Sequence, residues 1–218
     1  MSSITQFFAP RRSRGERSLH SGKREEVNVA ERLAKLVFHG TPVVAGATAG
    51  GGHGDDVVAL IDGKSIGFEV GTQGKFEGGG CTLRLIDGQL RVPADKQFLY
   101  SLMGDYRPWS GVVPPLTTIC ADDYLDVPSD SIARYYREKG THYISLNKGL
   151  YHTGDDVLSI GVPFFEVPGI RLRTRVTKHL KKGKPTDYTT ALVFPVNNLV
   201  KSPYSLFGVL PPGFTEAE

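Results

Sequence analysis

Three carboxylates flank or interrupt two short apolar runs in the first third of the chain. Asp55 and Asp56 precede the run 57–61, and Glu69 is embedded in the run 66–70. A carboxylate inside an apolar strand is costly unless it is paired or binds a cation. Mg²⁺ is commonly held by one or two carboxylates together with a substrate phosphate. These residues therefore predict a metal-dependent phosphodiesterase site built on Asp56 and Glu69.

The element that must position these carboxylates is a β-hairpin, because two apolar runs joined by a tight Asp-Gly turn are typical of one. A turn centred on Gly63 and Lys64 gives a register in which Asp56 lies opposite Gly71. Side chains alternate between the two faces of a strand. We therefore expect Asp56 and Glu69 to share one face near the open end of the hairpin.

An amphipathic helix is predicted before the hairpin, over residues 24–38. Its apolar positions recur at helical spacing: Val27, Ala30, Leu33, Ala34 and Val37. Glu31 lies beside this stripe and is a candidate to assist the site through a water molecule, although a solvated surface role is the simpler interpretation. The glycine-rich residues 39–55 lack a phosphate-binding loop pattern and are expected to be a connector.

Length and composition favour one folded domain with tails. We expect a disordered basic tail at 1–23, a folded domain at 24–210 and a flexible tail at 211–218. The apolar runs are too short to cross a bilayer and the N-terminus lacks a signal-peptide core, so no membrane partner is expected. Two cysteines, Cys81 and Cys120, form no disulfide framework, which favours a reducing, intracellular compartment.

A row of arginines marks one strand in the second half of the chain. Residues 170–178 alternate strictly, which places Arg171, Arg173 and Arg175 on one face. Like charges in such a row repel one another, and DNA phosphates are a natural compensating partner. The alternative is an exposed strand with solvated charges. With Lys178, these arginines are candidates for DNA binding.

Arg107 and the single tryptophan, Trp109, are neighbours in a Pro- and Gly-containing segment. An arginine beside an aromatic ring is suited to contacting DNA bases. A lone tryptophan is equally often a core residue, so packing remains the alternative.

The N-terminal tail differs in charge from the rest of the chain. Residues 1–24 carry a net charge of +5 and the remainder carries −2, which suggests a polyanionic partner. Ile4, Phe7 and Phe8 cluster on one helical turn, and exposed aromatics of this kind need a receiving surface. The segment MSSITQFF resembles the sliding-clamp (PCNA) interacting peptide, although Met1 stands where that family usually has Gln. The resemblance implies a clamp partner in a nuclear, viral or archaeal replication setting. The alternative is a disordered tail whose aromatic residues occur by chance.

The order helix, loop, Asp, strand, turn and strand with Glu resembles the restriction-endonuclease-like superfamily, which is marked by the PD-(D/E)xK motif. The resemblance implies an α/β (α+β) fold with a mixed central β-sheet flanked by helices. It also implies a DNA endonuclease that hydrolyses phosphodiester bonds in replication or repair, with Asp56 and Glu69 as ligands of Mg²⁺, for which Mn²⁺ can substitute. Restriction-like enzymes often dimerise, so a homodimer is a further expectation without an identified face.

One position departs from the superfamily pattern. Gly71 stands two residues after Glu69, where the superfamily has a lysine that positions or activates the attacking water. Lys64 is excluded as a substitute because it lies at the hairpin tip. Lys75 follows closely enough for a bend to return its amine to the site. Either Lys75 has taken this role, or the chain is an impaired DNA-binding module or a clamp-tethered adaptor.

Overall fold

The fold is described from a computed structural model of the 218-residue chain. The structure describes residues 14–48, 55–71, 76–93, 107–109, 111–118, 120–128, 131–146, 148–167, 169–181, 184–196 and 199–218. Within these ranges lie two helices, α1 (Arg14–Leu33) and α2 (Ser131–Lys139). None of the described helices is long and apolar enough to cross a membrane.

Thirteen strands of the described part form three sheets. The central sheet contains β3 (Val44–Ala47), β4 (Val57–Ile61), β5 (Lys64–Gly71), β9 (Thr141–Leu146) and β10 (Gly149–His152). The second contains β6 (Phe76–Ile86), β7 (Gln89–Arg91), β8 (Asp122–Asp126), β11 (Arg171–Lys181) and β12 (Lys184–Phe194). The smallest contains β1 (Leu36–Phe38), β2 (Thr41–Pro42) and β13 (Phe214–Glu216).

The central sheet is mixed, in the order β10-β9-β5-β4-β3. Strands β3, β4 and β5 form an antiparallel meander, whereas β5 and β9 are parallel. Parallel neighbours need a long crossover, and here the crossover carries β6, β7, β8 and finally α2. The expectation of a mixed α+β fold is thereby confirmed at this level.

Two hydrophobic cores cover the two faces of the central sheet. Helix α1 packs Val29, Ala30 and Leu33 against the inward residues of β4 and β5 in the first core. Helix α2 contributes Tyr135 and Tyr136 to the second core, which also contains residues of β9, β11 and β12. Because side chains alternate along a strand, a polar group on the α2 face of β5 is enclosed between α2 and the second sheet.

The hairpin is present, but its register differs from the predicted one by two residues. The turn is Asp62-Gly63, with φ of 50° and 72°, so that Ile61 pairs with Lys64. A two-residue turn with positive φ at both central positions matches the twist of the flanking strands. A shift of two residues preserves the alternation of faces, so the predicted common face of Asp56 and Glu69 is unaffected.

Both ends of the predicted domain also differ from expectation. The helix begins at Arg14, inside the predicted tail, and ends at Leu33, because residues 36–38 form β1 rather than a last helical turn. The predicted flexible segment 211–218 contains β13, which pairs with β1. Arg32 anchors this segment through two hydrogen bonds of 2.7 and 2.5 Å to the Glu216 carboxylate.

Candidate functional site

The predicted carboxylates meet where β4 begins and β5 approaches its end. Val57 pairs with Phe68, so Asp56, one residue earlier, lies level with Glu69. The backbone N–H of Val70 donates a hydrogen bond of 2.8 Å to Oδ2 of Asp56. Glu69 is only 7 % exposed. The hairpin therefore brings together the two residues that the sequence predicts as metal ligands.

Lys139, the last residue of α2, supplies the cation of this site. Its Nζ donates a hydrogen bond to Oε2 of Glu69 and forms an ion pair with it. Its charge also lowers the pKa of Asp56, against the larger effect of burial. The chain turns at Gly140 (φ 84°) and enters β9 alongside β5, which keeps the end of α2 beside Glu69. The sequence did not identify Lys139; Lys75, which it favoured, lies outside the described residues.

The structure also explains why a lysine is absent two residues after Glu69. A Cβ atom at Gly71 would lie 2.5 Å from Cδ2 of Phe76 and 2.7 Å from Cδ2 of Leu146. Both neighbours belong to the second core. Since protein interiors are close-packed, position 71 has no room for a side chain, and a cation must come from another element.

We expect Gly71→Ala to destabilise the protein by about 1–3 kcal/mol, the usual cost of overpacking a core. For a chain of this length, each 1 kcal/mol lowers Tm by roughly 2–4 °C. Gly46→Ala is the matched control, because a Cβ there meets no atom within 4 Å. Thermal unfolding that is equally affected by both substitutions would contradict the steric explanation.

A third acid approaches the site from α1, and it is Glu26 rather than the predicted Glu31. Burial is the main cause that raises the pKa of Glu26, and the charge of Asp56 raises it further. Glu31 is exposed, whereas Glu26 is half-buried. Glu26 is therefore the candidate for the assisting role that the sequence predicts for Glu31.

Asp55 connects three strands next to the site. Its side chain accepts a hydrogen bond from the Thr141 hydroxyl at the start of β9. It also lies over Gly67, where a Cβ would come within 1.9 Å of Asp55 Oδ2. Asp55 is 9 % exposed. Its contacts link β4, β5 and β9, so we assign it a positioning role rather than a place among the reacting groups.

The carboxylates of the site carry more negative charge than Lys139 alone neutralises. Burial raises the pKa of Glu69 to about 7, with a smaller contribution from Asp56 and an opposing one from Lys139. Burial also raises the pKa of Asp56, against the hydrogen bond from Val70. Buried carboxylates with raised pKa values favour a partner that brings positive charge.

The pKa of Glu69 predicts a pH-dependent stability in the absence of divalent metals. A carboxyl group whose pKa is raised on folding, here from 4.5 to about 7, binds protons more tightly in the folded state. The free energy of unfolding should therefore fall as the pH rises from about 4.5 to 7. Thermal unfolding in EDTA across this range measures the slope. Glu69→Gln should flatten it, and an unchanged slope in that variant would contradict the assignment.

The donor set fits a hard cation that also binds substrate. No group of three or more His, Cys, Asp or Glu side chains in the described ranges is arranged to hold a metal by itself. Asp56 and Glu69 are carboxylates, the ligand type that Mg²⁺ prefers, and Mg²⁺ usually completes its shell with waters and substrate phosphate. The two carboxylates thus fit Mg²⁺ as part of its shell, and metal binding stays a prediction.

The arginine row lies on β11, but acids and an aromatic ring of other strands in the same sheet compensate its charge. Arg173 donates two hydrogen bonds of 2.7 and 2.9 Å to Glu77. Arg175 donates two, of 2.5 and 2.7 Å, to Asp122, and lowers the pKa of that carboxyl. Arg171 lies 4.7 Å from the ring centroid of Tyr124. The repulsion that motivated a phosphate partner is relieved within the protein, and DNA binding by these arginines stays a prediction.

The remaining predicted contacts lie away from the carboxylates or outside the described residues. Trp109 packs edge-on against Tyr188 with ring centroids 5.8 Å apart, and its backbone N–H donates a 2.6 Å hydrogen bond to Oδ2 of Asp123. This packing agrees with the core alternative for Trp109, while Arg107 is exposed. The side chains outside the described set are Ile4, Phe7, Phe8, Lys75 and Lys178.

The two residues that sequence reasoning missed share one signal. Glu26 precedes Ala30 by four positions and Leu33 by seven, so it continues the buried stripe of α1. Lys139 follows Tyr135 by four positions on the buried stripe of α2. A charged residue in register with an apolar stripe marks each of them.

These assignments rest on the geometry of the site, since no protein-family model, curated protein or solved structure is significantly similar to the chain.

Proposed function

We propose that the chain is a Mg²⁺-dependent DNA endonuclease that hydrolyses phosphodiester bonds. The observation that carries the proposal is the pairing of buried Glu69 with Lys139, beside Asp56 at the same level of the hairpin. Two acids and a lysine at one point are the groups that the PD-(D/E)xK resemblance implies. Here the lysine comes from a helix instead of from β5.

The topology supports a restriction-endonuclease-like core. The central sheet and its helices have the chain order α1, the antiparallel meander β3-β4-β5, α2 and β9, which is parallel to β5, with strands of the other two sheets inserted between them. The helices pack on opposite faces of this mixed sheet. The resemblance implies a mixed sheet flanked by helices, with one acid directly before a strand and the other on the next strand. Asp56 directly precedes β4, and Glu69 lies on β5.

The residues divide the chemistry between them. Mg²⁺ bound by Asp56 and Glu69 would lower the pKa of a water molecule and neutralise charge that develops on the phosphate. Lys139 holds a positive charge and three N–H donors beside Glu69, where it can orient the attacking water and stabilise its ionised form. The N–H of Val70 keeps the Asp56 carboxylate oriented toward β5.

Lys139 bears on the two non-catalytic alternatives as well. The impaired DNA-binding module depends on the absence of a lysine two residues after Glu69, and the clamp-tethered adaptor is the other alternative. Because Lys139 contacts Glu69, the missing lysine is no longer a reason to prefer an impaired module. We therefore favour an enzyme over a module that kept only the scaffold.

The direct test is incubation of the protein with duplex, nicked and branched DNA in Mg²⁺, in Mn²⁺ and in EDTA. We expect internal cleavage in both metals and none in EDTA, because the acids need a cation to act on phosphate. Absence of cleavage on all three DNA forms would contradict the proposed activity.

Recruitment by a sliding clamp is the second part of the proposal, and the N-terminal peptide alone supports it. Ile4, Phe7 and Phe8 would form the anchor that enters an apolar groove on the clamp. Replacing Phe7 and Phe8 by Ala should abolish capture of the protein by immobilised clamp, while DNA cleavage without clamp is unchanged. Undiminished capture would refute the peptide assignment.

A further inference from the structure

A cavity of about 180 Å³ lies at the junction of α2 and β9. Its walls come from α2, from the start of β9 and from the loop after β10. The residues that matter below are Ala133, Arg137, His142, Gly154, Asp155 and Val157. The cavity also contacts Gly140 and Thr141, which follow Lys139 directly in the chain. The α2–β9 junction thus links the cavity to Lys139 and Glu69 through the chain.

The polar groups of the cavity include both donors and acceptors. Arg137 and Asp155 do not form an ion pair with each other, and no other ion pair of either is found in the described part of the chain. Gly67 donates its backbone N–H to Nδ1 of His142 at 3.1 Å, which leaves the proton of the neutral ring on Nε2. The cavity is therefore lined by a guanidinium, an imidazole N–H and a carboxylate.

The size and the charge of the cavity exclude several ligand types. It is smaller than the roughly 300 Å³ at which pockets for drug-sized molecules begin. A bound phosphate would face the Asp155 carboxylate as well as Arg137, so like charges would oppose part of the attraction. Ala133, Gly154 and Val157 add small or apolar wall surface. A flat, neutral heterocycle with donors and acceptors on its edge matches this combination.

Among the DNA bases, guanine matches the polar groups best. Its O6 and N7 are paired acceptors that suit an arginine, the commonest specific contact to this base. Its N1–H and N2 amino group are adjacent donors, which the two oxygens of an ionised carboxylate can accept together. We propose that the cavity receives an unpaired guanine of the DNA strand that occupies the Asp56–Glu69 site. This inference rests on the proposed function, because it deepens the substrate class of the same site.

Unpaired guanine is the appropriate substrate because a base must leave the stack before it can enter a cavity. Extrusion costs a few kcal/mol from a duplex and least from a mismatch or bulge. The test is fluorescence anisotropy with labelled duplexes that carry one bulged guanine, inosine or adenine, in Ca²⁺ to prevent turnover. We expect guanine to bind about 10-fold more tightly than adenine, as for a bidentate base contact. Inosine, which lacks the N2 amino group, should fall between them.

Three variants make the test specific. Asp155→Asn replaces one acceptor by a donor, so the preference for guanine over adenine should fall to what the Arg137 contact alone supplies. Ala133→Leu should abolish the same preference by filling the cavity while Arg137 and Asp155 remain. Asp62→Asn at the hairpin tip is the matched control, because Asn tolerates its positive φ of 50°. This control should bind all three duplexes as the wild type does.

The outcomes separate this inference from the proposed activity. Equal binding of the three bulges by the wild type, or a preference that survives both Asp155→Asn and Ala133→Leu, would overturn the guanine site. So would an equal, salt-dependent gain of Asp155→Asn on every duplex, which would identify a phosphate site. Guanine preference without cleavage in Mg²⁺ would leave the guanine site intact and contradict the nuclease. Cleavage without base preference would support the nuclease and contradict the guanine site.

Discussion

Replacing Asp56 by Asn is expected to lower the rate of DNA cleavage by about 10³-fold. A ligand that holds the cation contributes several kcal/mol of charge stabilisation in the transition state, and about 1.4 kcal/mol corresponds to each factor of ten. Asn keeps an oxygen that can accept the 2.8 Å hydrogen bond from Val70, so the local fold should persist. Cleavage at saturating DNA and varied Mg²⁺ measures the loss.

The same substitution should leave the protein as stable as the wild type or more so. Burial raises the pKa of Asp56, which means that its ionised form is held at a cost that a neutral amide avoids. A variant that gains stability while losing activity is typical of functional residues. Asp62→Asn makes the same chemical change at the hairpin turn and should affect neither property. Full activity in Asp56→Asn, or an equal loss in the control, would contradict the metal-site assignment.

The sequence predicted the local parts of the site well. Alternation along two short strands placed Asp56 and Glu69 on one face, and this result survived a two-residue error in register because the period of a strand is two. The turn itself was misplaced by one position, since Asp62 adopts a positive φ that the sequence reading did not assign to it. The hairpin shows that the alternation of faces is more robust than the detailed pairing.

Non-local partners were the part that sequence reasoning did not reach. The arginines of β11 look unpaired in the sequence because Glu77 and Asp122 lie about 96 and 53 positions away. Whether a charged row binds phosphate or neighbouring acids depends on which strands flank it, and the sheet order decides this. Lys139 was missed for the same reason: a crossover of nearly seventy residues separates it from Glu69.

Replacing Lys139 is expected to have the second large effect on the rate of DNA cleavage. Lys139→Met keeps an unbranched side chain but removes the ammonium, and we expect cleavage to fall by about 10²- to 10⁴-fold, the usual contribution of a proton-transfer or water-orienting group. Lys75→Ala should cleave as the wild type does, because the role proposed for Lys75 is filled by Lys139. A full rate in Lys139→Met together with a large loss in Lys75→Ala would restore the original interpretation.

The pH dependence of Lys139→Met separates the two ways in which this lysine can act. As a counter-ion, Lys139 lowers the pKa of Glu69, so its loss weakens metal binding most at low pH. If that were its whole role, a higher pH would ionise Glu69 without help and restore cleavage. If the ammonium acts on the attacking water, metal binding should recover at high pH while the rate at saturating metal remains low. We expect the second result, because the ammonium of Lys139 contacts Glu69, the ligand proposed for the cation. Recovery of the full rate at high pH would show instead that Lys139 acts only as the counter-ion of Glu69.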